Sequence, residues 1–170
     1  QVALAASAAS EKILRALAQA LPNSVRVGGG CLEWIPVQAQ TIHLALPVGV
    51  PSANFSVLAS GMGQVVSGHA VVNPQPGAGL YQPGVSGPLS SALATLPVGS
   101  DQVTLSLPSL HRFPAESPSR RLYLVSTPES YCVSGERLLH HRGYGFQAVM
   151  ATPPVGGSRT VLLTGLQPGT

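Results

Sequence analysis

Cys31 and Cys132, with the adjacent pair His140 and His141, are the side chains with the most chemistry to offer in this sequence. The cysteines form no C-x-x-C, and no histidines stand beside them at zinc spacing. Both fall in stretches that read as strands. In an exported protein they would pair, closing a loop of about 100 residues for roughly 4–5 kcal/mol of stabilisation. In a reducing compartment they would stay buried thiols, so a Cys31–Cys132 disulfide is the expectation that goes with export. His140 and His141 cannot share one metal ion, because adjacent residues on a strand point to opposite faces. His43, His69 and His111 are isolated and read as structural or exposed. The six carboxylates, Glu11, Glu33, Asp101, Glu116, Glu129 and Glu136, show no pairing suited to acid–base work. No G-x-S-x-G elbow presents a serine. Gly28-Gly29-Gly30 leads into a strand, whereas a phosphate loop must open a helix and carry a lysine. Asn54-Phe55-Ser56 matches a glycosylation sequon, a triplet common by chance. The residues point away from an enzyme, with no catalytic, metal or cofactor-binding group.

The elements that must carry these residues are one helix and many strands. An Ala-rich run fills the first 22 residues and stops at Pro22, which cannot continue the hydrogen-bond ladder. Within it Ile13, Leu14, Leu17 and Leu21 share one face, the expected core face. Beyond Pro22 the text is strand-like, with segments expected at 25–27, 31–37, 41–46, 55–59, 64–72, 102–107, 121–126, 130–133, 137–142, 144–150 and 160–163. Val103, Leu105 and Leu107 alternate onto one face, as do Leu122, Leu124 and Ser126. Ser134-Gly135-Glu136 reads as a hairpin turn. Residues 73–91 read as one long Pro/Gly loop, and loops of that length are usually functional or mobile.

Composition sets the class. At 170 residues the chain reads as one domain, residues 1–22 a helix and residues 23–170 a β-rich head. Charged residues make up only 9%, against about 25% in ordinary soluble domains. Nine basic residues against six acidic are scattered, and no basic run alternates with aromatics, so nucleic acid is not an expected partner. No run of about twenty apolar residues is present. A helix in full stride at Gln1 reads as the remainder of a longer, processed one. Leu4 and Ala8, on a slim alanine surface, are the expected assembly interface, since small residues let helices approach closely.

Two passages resemble a known family. Ala20-Leu21-Pro22-Asn23-Ser24-Val25-Arg26-Val27, followed by Cys31-Leu32-Glu33-Trp34-Ile35-Pro36-Val37, resembles the junction between long helix and head in type IV pilin-like proteins. Phe113-Pro114-Ala115-Glu116-Ser117-Pro118-Ser119-Arg120-Arg121-Leu122-Tyr123-Leu124-Val125, then Ser130-Tyr131-Cys132 and Arg142-Gly143-Tyr144, resembles a second passage of the same proteins. These are minor pilins of the mannose-sensitive haemagglutinin (MshO) type, and the likeness is strong over about a quarter of the chain. It implies an α+β, pilin-like and loop-rich fold, with the N-terminal helix packed on an antiparallel sheet. It also implies a membrane-anchored precursor, processed at a leader and held in the bacterial inner membrane by a segment outside these residues. The expected function is a structural subunit at the tip or initiation complex of a type IV pilus or a type II secretion pseudopilus. Its partners would be other pilin-like subunits bound through the helix, first in the periplasm and then in the extracellular filament. The alternative is a free-standing β-rich carbohydrate-binding or adhesin module.

Overall fold

The computed structural model describes the backbone of residues 2–166 and the side chains of residues 7–166. One helix, α1 (Val2–Ala18), precedes eleven strands: β1 (Arg26–Gly28), β2 (Cys31–Trp34), β3 (Val37–Ala45), β4 (Ser52–Leu58), β5 (Val66–Val72), β6 (Leu89–Leu96), β7 (Gln102–His111), β8 (Arg121–Val125), β9 (Glu129–Ser134), β10 (Arg137–Arg142) and β11 (Ser158–Thr164). The chain divides into two compact units, one formed by Gln1–Pro36 with Thr127–Thr170 and the other by Val37–Ser126. The expected α+β pilin-like head is overturned. Strands dominate the described residues, and six of them close into a barrel. Local alternation reveals a strand but not its neighbours. Barrel closure rests on β8 pairing with both β3 and β5, partners distant in sequence.

In the unit Val37–Ser126 the barrel order is β3-β4-β7-β6-β5-β8. The inward residues are those the period-2 pattern selects: Phe55 and Val57 on β4, Leu105 and Leu107 on β7, Leu122 and Leu124 on β8. Phe55 and Phe113 meet edge to face inside, with centroids 5.4 Å apart. Gly68 on β5 is required by close approach, since a Cβ there would lie 2.9 Å from the Val125 carbonyl oxygen. The expected loop 73–91 is shorter than the sequence implied. It contains a 3-10 turn, Ala78–Tyr81, with Leu80 and Tyr81 buried, and its end already belongs to β6. His111 fastens this segment through ring contacts to the carbonyls of Gly84 (3.0 Å) and Gly87 (2.8 Å).

The unit Gln1–Pro36 with Thr127–Thr170 is a five-stranded antiparallel sheet, β1-β2-β9-β10-β11. Ala9, with Ile13, Ala16 and Ala20, packs against Trp34, Tyr131, Leu138 and Leu163 of this sheet. Ala9, Ile13 and Ala16 lie on one helical face, which shares Ile13 with the expected one but is rotated away from Leu14. Leu14 is 67% exposed. Leu17 is half-buried, and Leu21 is buried beyond the helix end, where its amide donates to the Ile35 carbonyl at 2.8 Å. The bulky partners sit on the sheet, so the helix presents alanine to them and turns Leu14 outward. Ala8 is exposed next to buried Ala9, and the side chain of Leu4 lies outside the described residues.

Enlarging a tightly covered alanine should therefore cost more than trimming a large exposed leucine. Ala9→Leu is expected to destabilise by about 1–3 kcal/mol, whereas Leu14→Ala should stay within about 0.5 kcal/mol of wild type. Urea denaturation of both variants measures the pair.

Candidate functional site

Strand register places one polar residue from each strand of the five-stranded sheet in a single row. Arg26 lies opposite Glu33, Glu33 opposite Ser130, Ser130 opposite His141, and His141 opposite Arg159. Directly opposed residues share a face, so all five point the same way. Glu33 is only 1% exposed, and a carboxylate at that depth needs partners. Arg26 supplies them through Nε at 2.8 Å and a second, very short contact from Nη2 to the same oxygen. The Tyr144 hydroxyl donates to the other carboxylate oxygen at 2.7 Å and contacts the Ser130 hydroxyl at 2.6 Å. Arg26 also donates to the carbonyls of Ala148 (2.8 Å) and Gln147 (2.9 Å). The segment following β10, expected as a strand over 144–150, is thus an irregular cover tied down by side chains. Gly157 lets it re-enter the sheet: with φ +67°, a Cβ there would fall 2.2 Å from the Arg142 carbonyl oxygen.

Two residues along the strands, on the same face, runs a second row. Cys31 lies opposite Cys132 and Cys132 opposite Leu139, and the two cysteines are joined as a disulfide with their Cα atoms 4.1 Å apart. The bridge expected from the sequence is present. His141 is 4% exposed, and its Nε2 has no hydrogen-bond partner.

The opposite face of the sheet, under the helix, carries a cleft of about 230 Å³. Its floor is aromatic: Trp34 and Tyr131 lie 4.7 Å apart by centroid, and Tyr131 and His140 4.8 Å. His140 Nε2 contacts Glu129 at 2.7 Å, while Arg142 donates to Nδ1 at 3.0 Å, which leaves Nε2 as the nitrogen that carries hydrogen toward the carboxylate. Burial raises the Tyr131 hydroxyl pKa, Glu129 raises it further, and Arg142 offsets part of this. Lys12 and Arg15 of α1, with Gln19 in the turn just past its end, form the opposite wall. Neither Lys12 nor Arg15 makes a hydrogen bond or ion pair among the described residues, so both charges are available to a ligand.

His140 and His141 do point to opposite faces, one into the cleft and one into the polar row. Among the described residues no three of His, Cys, Asp and Glu are gathered as a metal site. No helix among them is long and apolar enough to cross a membrane. Sequence reasoning passed over Arg26, Glu33, Ser130 and Tyr144. The available signal was a glutamate at the centre of an apolar strand, Cys31-Leu32-Glu33-Trp34, which requires a buried cation nearby. No family model, curated protein or solved structure matches this chain. The pilin resemblance therefore stands on the passages that suggested it.

His43 and His141 are both buried, and burial is the first cause that holds each pKa below the ordinary 6.5. Arg120 adds to it at His43, against Glu116, and Arg159 and His140 add to it at His141. The unfolded chain then takes up these protons at a higher pH than the folded one. The stability contributed by the neutral rings is complete above about pH 6.5 and is lost as pH falls through the depressed folded values. Denaturation midpoints measured from pH 8 to 5 should fall on the acid side, and the double variant His43→Asn, His141→Gln should flatten that fall.

Proposed function

We propose that this chain is a β-rich carbohydrate-binding module, with the saccharide held in the cleft between α1 and the five-stranded sheet. The observation that carries this reading is the cleft's combination of groups. Lys12, Arg15 and Gln19 offer donors, Glu129 offers an acceptor, and Trp34, Tyr131 and His140 supply an aromatic floor. A sugar ring asks for that mixture, because its hydroxyls both give and accept hydrogen bonds while its C–H faces are apolar. Lys12 and Arg15 stand on a regular helix and the floor on a sheet crosslinked at Cys31–Cys132, so little ordering is needed on binding.

The test is a glycan array followed by calorimetric titration of the retained sugars. Arg15→Ala combined with Gln19→Ala should weaken binding about tenfold or more, roughly 1.4 kcal/mol. Both side chains are exposed, so the melting temperature should move by no more than about 2–4 °C. Arg159→Ala, on the other face, should leave affinity unchanged. Wild-type protein that retains no saccharide contradicts the proposal.

A further inference from the structure

The polar row is satisfied at one end and open at the other. Arg26 and Glu33 neutralise each other, and Tyr144 links Glu33 to Ser130. At the far end His141 keeps a buried, unpartnered Nε2, and Arg159 stands directly opposite it on β11 with no hydrogen bond or ion pair among the described residues. Both line a cavity of about 90 Å³ whose other walls include the Cys31–Cys132 bridge, Val133, Leu139 and Pro153.

We propose that this cavity is a binding site for a small monovalent anion, which accepts hydrogen bonds from the His141 imidazole and from the Arg159 guanidinium. No carboxylate lines the cavity to compete. The charged and titratable groups around His141 include Arg137, on the same face of β10 and beside Arg159 in an adjoining pocket. Arg159 faces it from β11, Glu33 on β2 is neutralised by Arg26 of β1, Tyr144 of the covering segment is engaged with that carboxylate, and His140 points to the other face. The site therefore carries the fixed positive charge of Arg159, with Arg137 adjoining, and a further charge when the imidazole is protonated. Its volume is that of about three waters, enough for a halide or nitrate and too small for a phosphate ester with its substituent. Apolar walls favour an ion that gives up hydration readily, such as bromide, over strongly hydrated fluoride.

An anion bound there stabilises the imidazolium, so anion and proton enter together and affinity rises as pH falls. This also supplies a function for a histidine whose burial otherwise only destabilises the fold in acid. It is independent of the saccharide cleft, which lies on the other face of the sheet.

The experiment is an NMR titration of the His141 ring proton in the full chain, assigned by comparison with His141→Gln, in sodium bromide and in sodium fluoride at equal ionic strength. The apparent pKa should be higher in bromide by about 1, and the acid-side melting temperature should be higher too. Arg159→Gln should abolish both differences while leaving the neutral-pH melting temperature near that of wild type. Crystals soaked in bromide should show the ion within hydrogen-bond distance of the His141 ring and the Arg159 guanidinium. Identical titrations in the two salts, a bromide effect that survives Arg159→Gln, or a bromide site elsewhere on the surface each overturn the proposal.

Discussion

A carboxylate that is 1% exposed in the middle of a sheet constrains everything around it, and Glu33 is that group. Left alone, a charge so placed costs several kcal/mol, and removing one partner of such a pair costs about 3–5 kcal/mol. Arg26 must therefore sit opposite on β1, which fixes the register of the β1–β2 hairpin. Tyr144 must reach across from the covering segment, and the spare donors of Arg26 hold that segment by its carbonyls at Gln147 and Ala148. The cover is irregular because side chains, not a strand ladder, dictate its path. Four positions distant in sequence are set by one buried charge.

The two faces of the sheet divide the chemistry between them. The face under α1 is aromatic and apolar, with the charged edge of the cleft along Lys12, Arg15 and Glu129. The other face is a polar row beside a disulfide. His140 and His141, adjacent in the chain, take opposite sides, one lining the aromatic cleft and the other the polar row. The disulfide joins β2 to β9 next to the ion pair, so covalent and electrostatic restraints act on the same two strands.

Some of this was legible in the sequence and some was not. The alternation of Leu105 with Leu107 and of Leu122 with Leu124 identified barrel strands, because period two is a local property. β6 escaped, since its Ser- and Ala-rich text, Leu89–Leu96, has no aromatic and only Thr95 among the β-branched residues that mark a strand. Residues 144–150 imitated a strand, yet they are positioned by Arg26 and Glu33. Leu14 misled for a related reason. Its spacing groups it with Ile13, Leu17 and Leu21, but the surface that packs on Trp34 and Tyr131 is made of Ala9, Ala16 and Ala20 around Ile13. The polar row is invisible in one dimension. It exists only once four strand registers are fixed, and no spacing in the sequence encodes it.

Amide hydrogen exchange read by mass spectrometry in wild type and Glu33→Gln tests most directly whether this buried charge organises its side of the sheet. The account predicts much faster exchange across residues 143–157, whose carbonyls and Tyr144 depend on the Arg26–Glu33 pair, with exchange in Val37–Ser126 unchanged. Unaltered protection of residues 143–157 in the variant would contradict it.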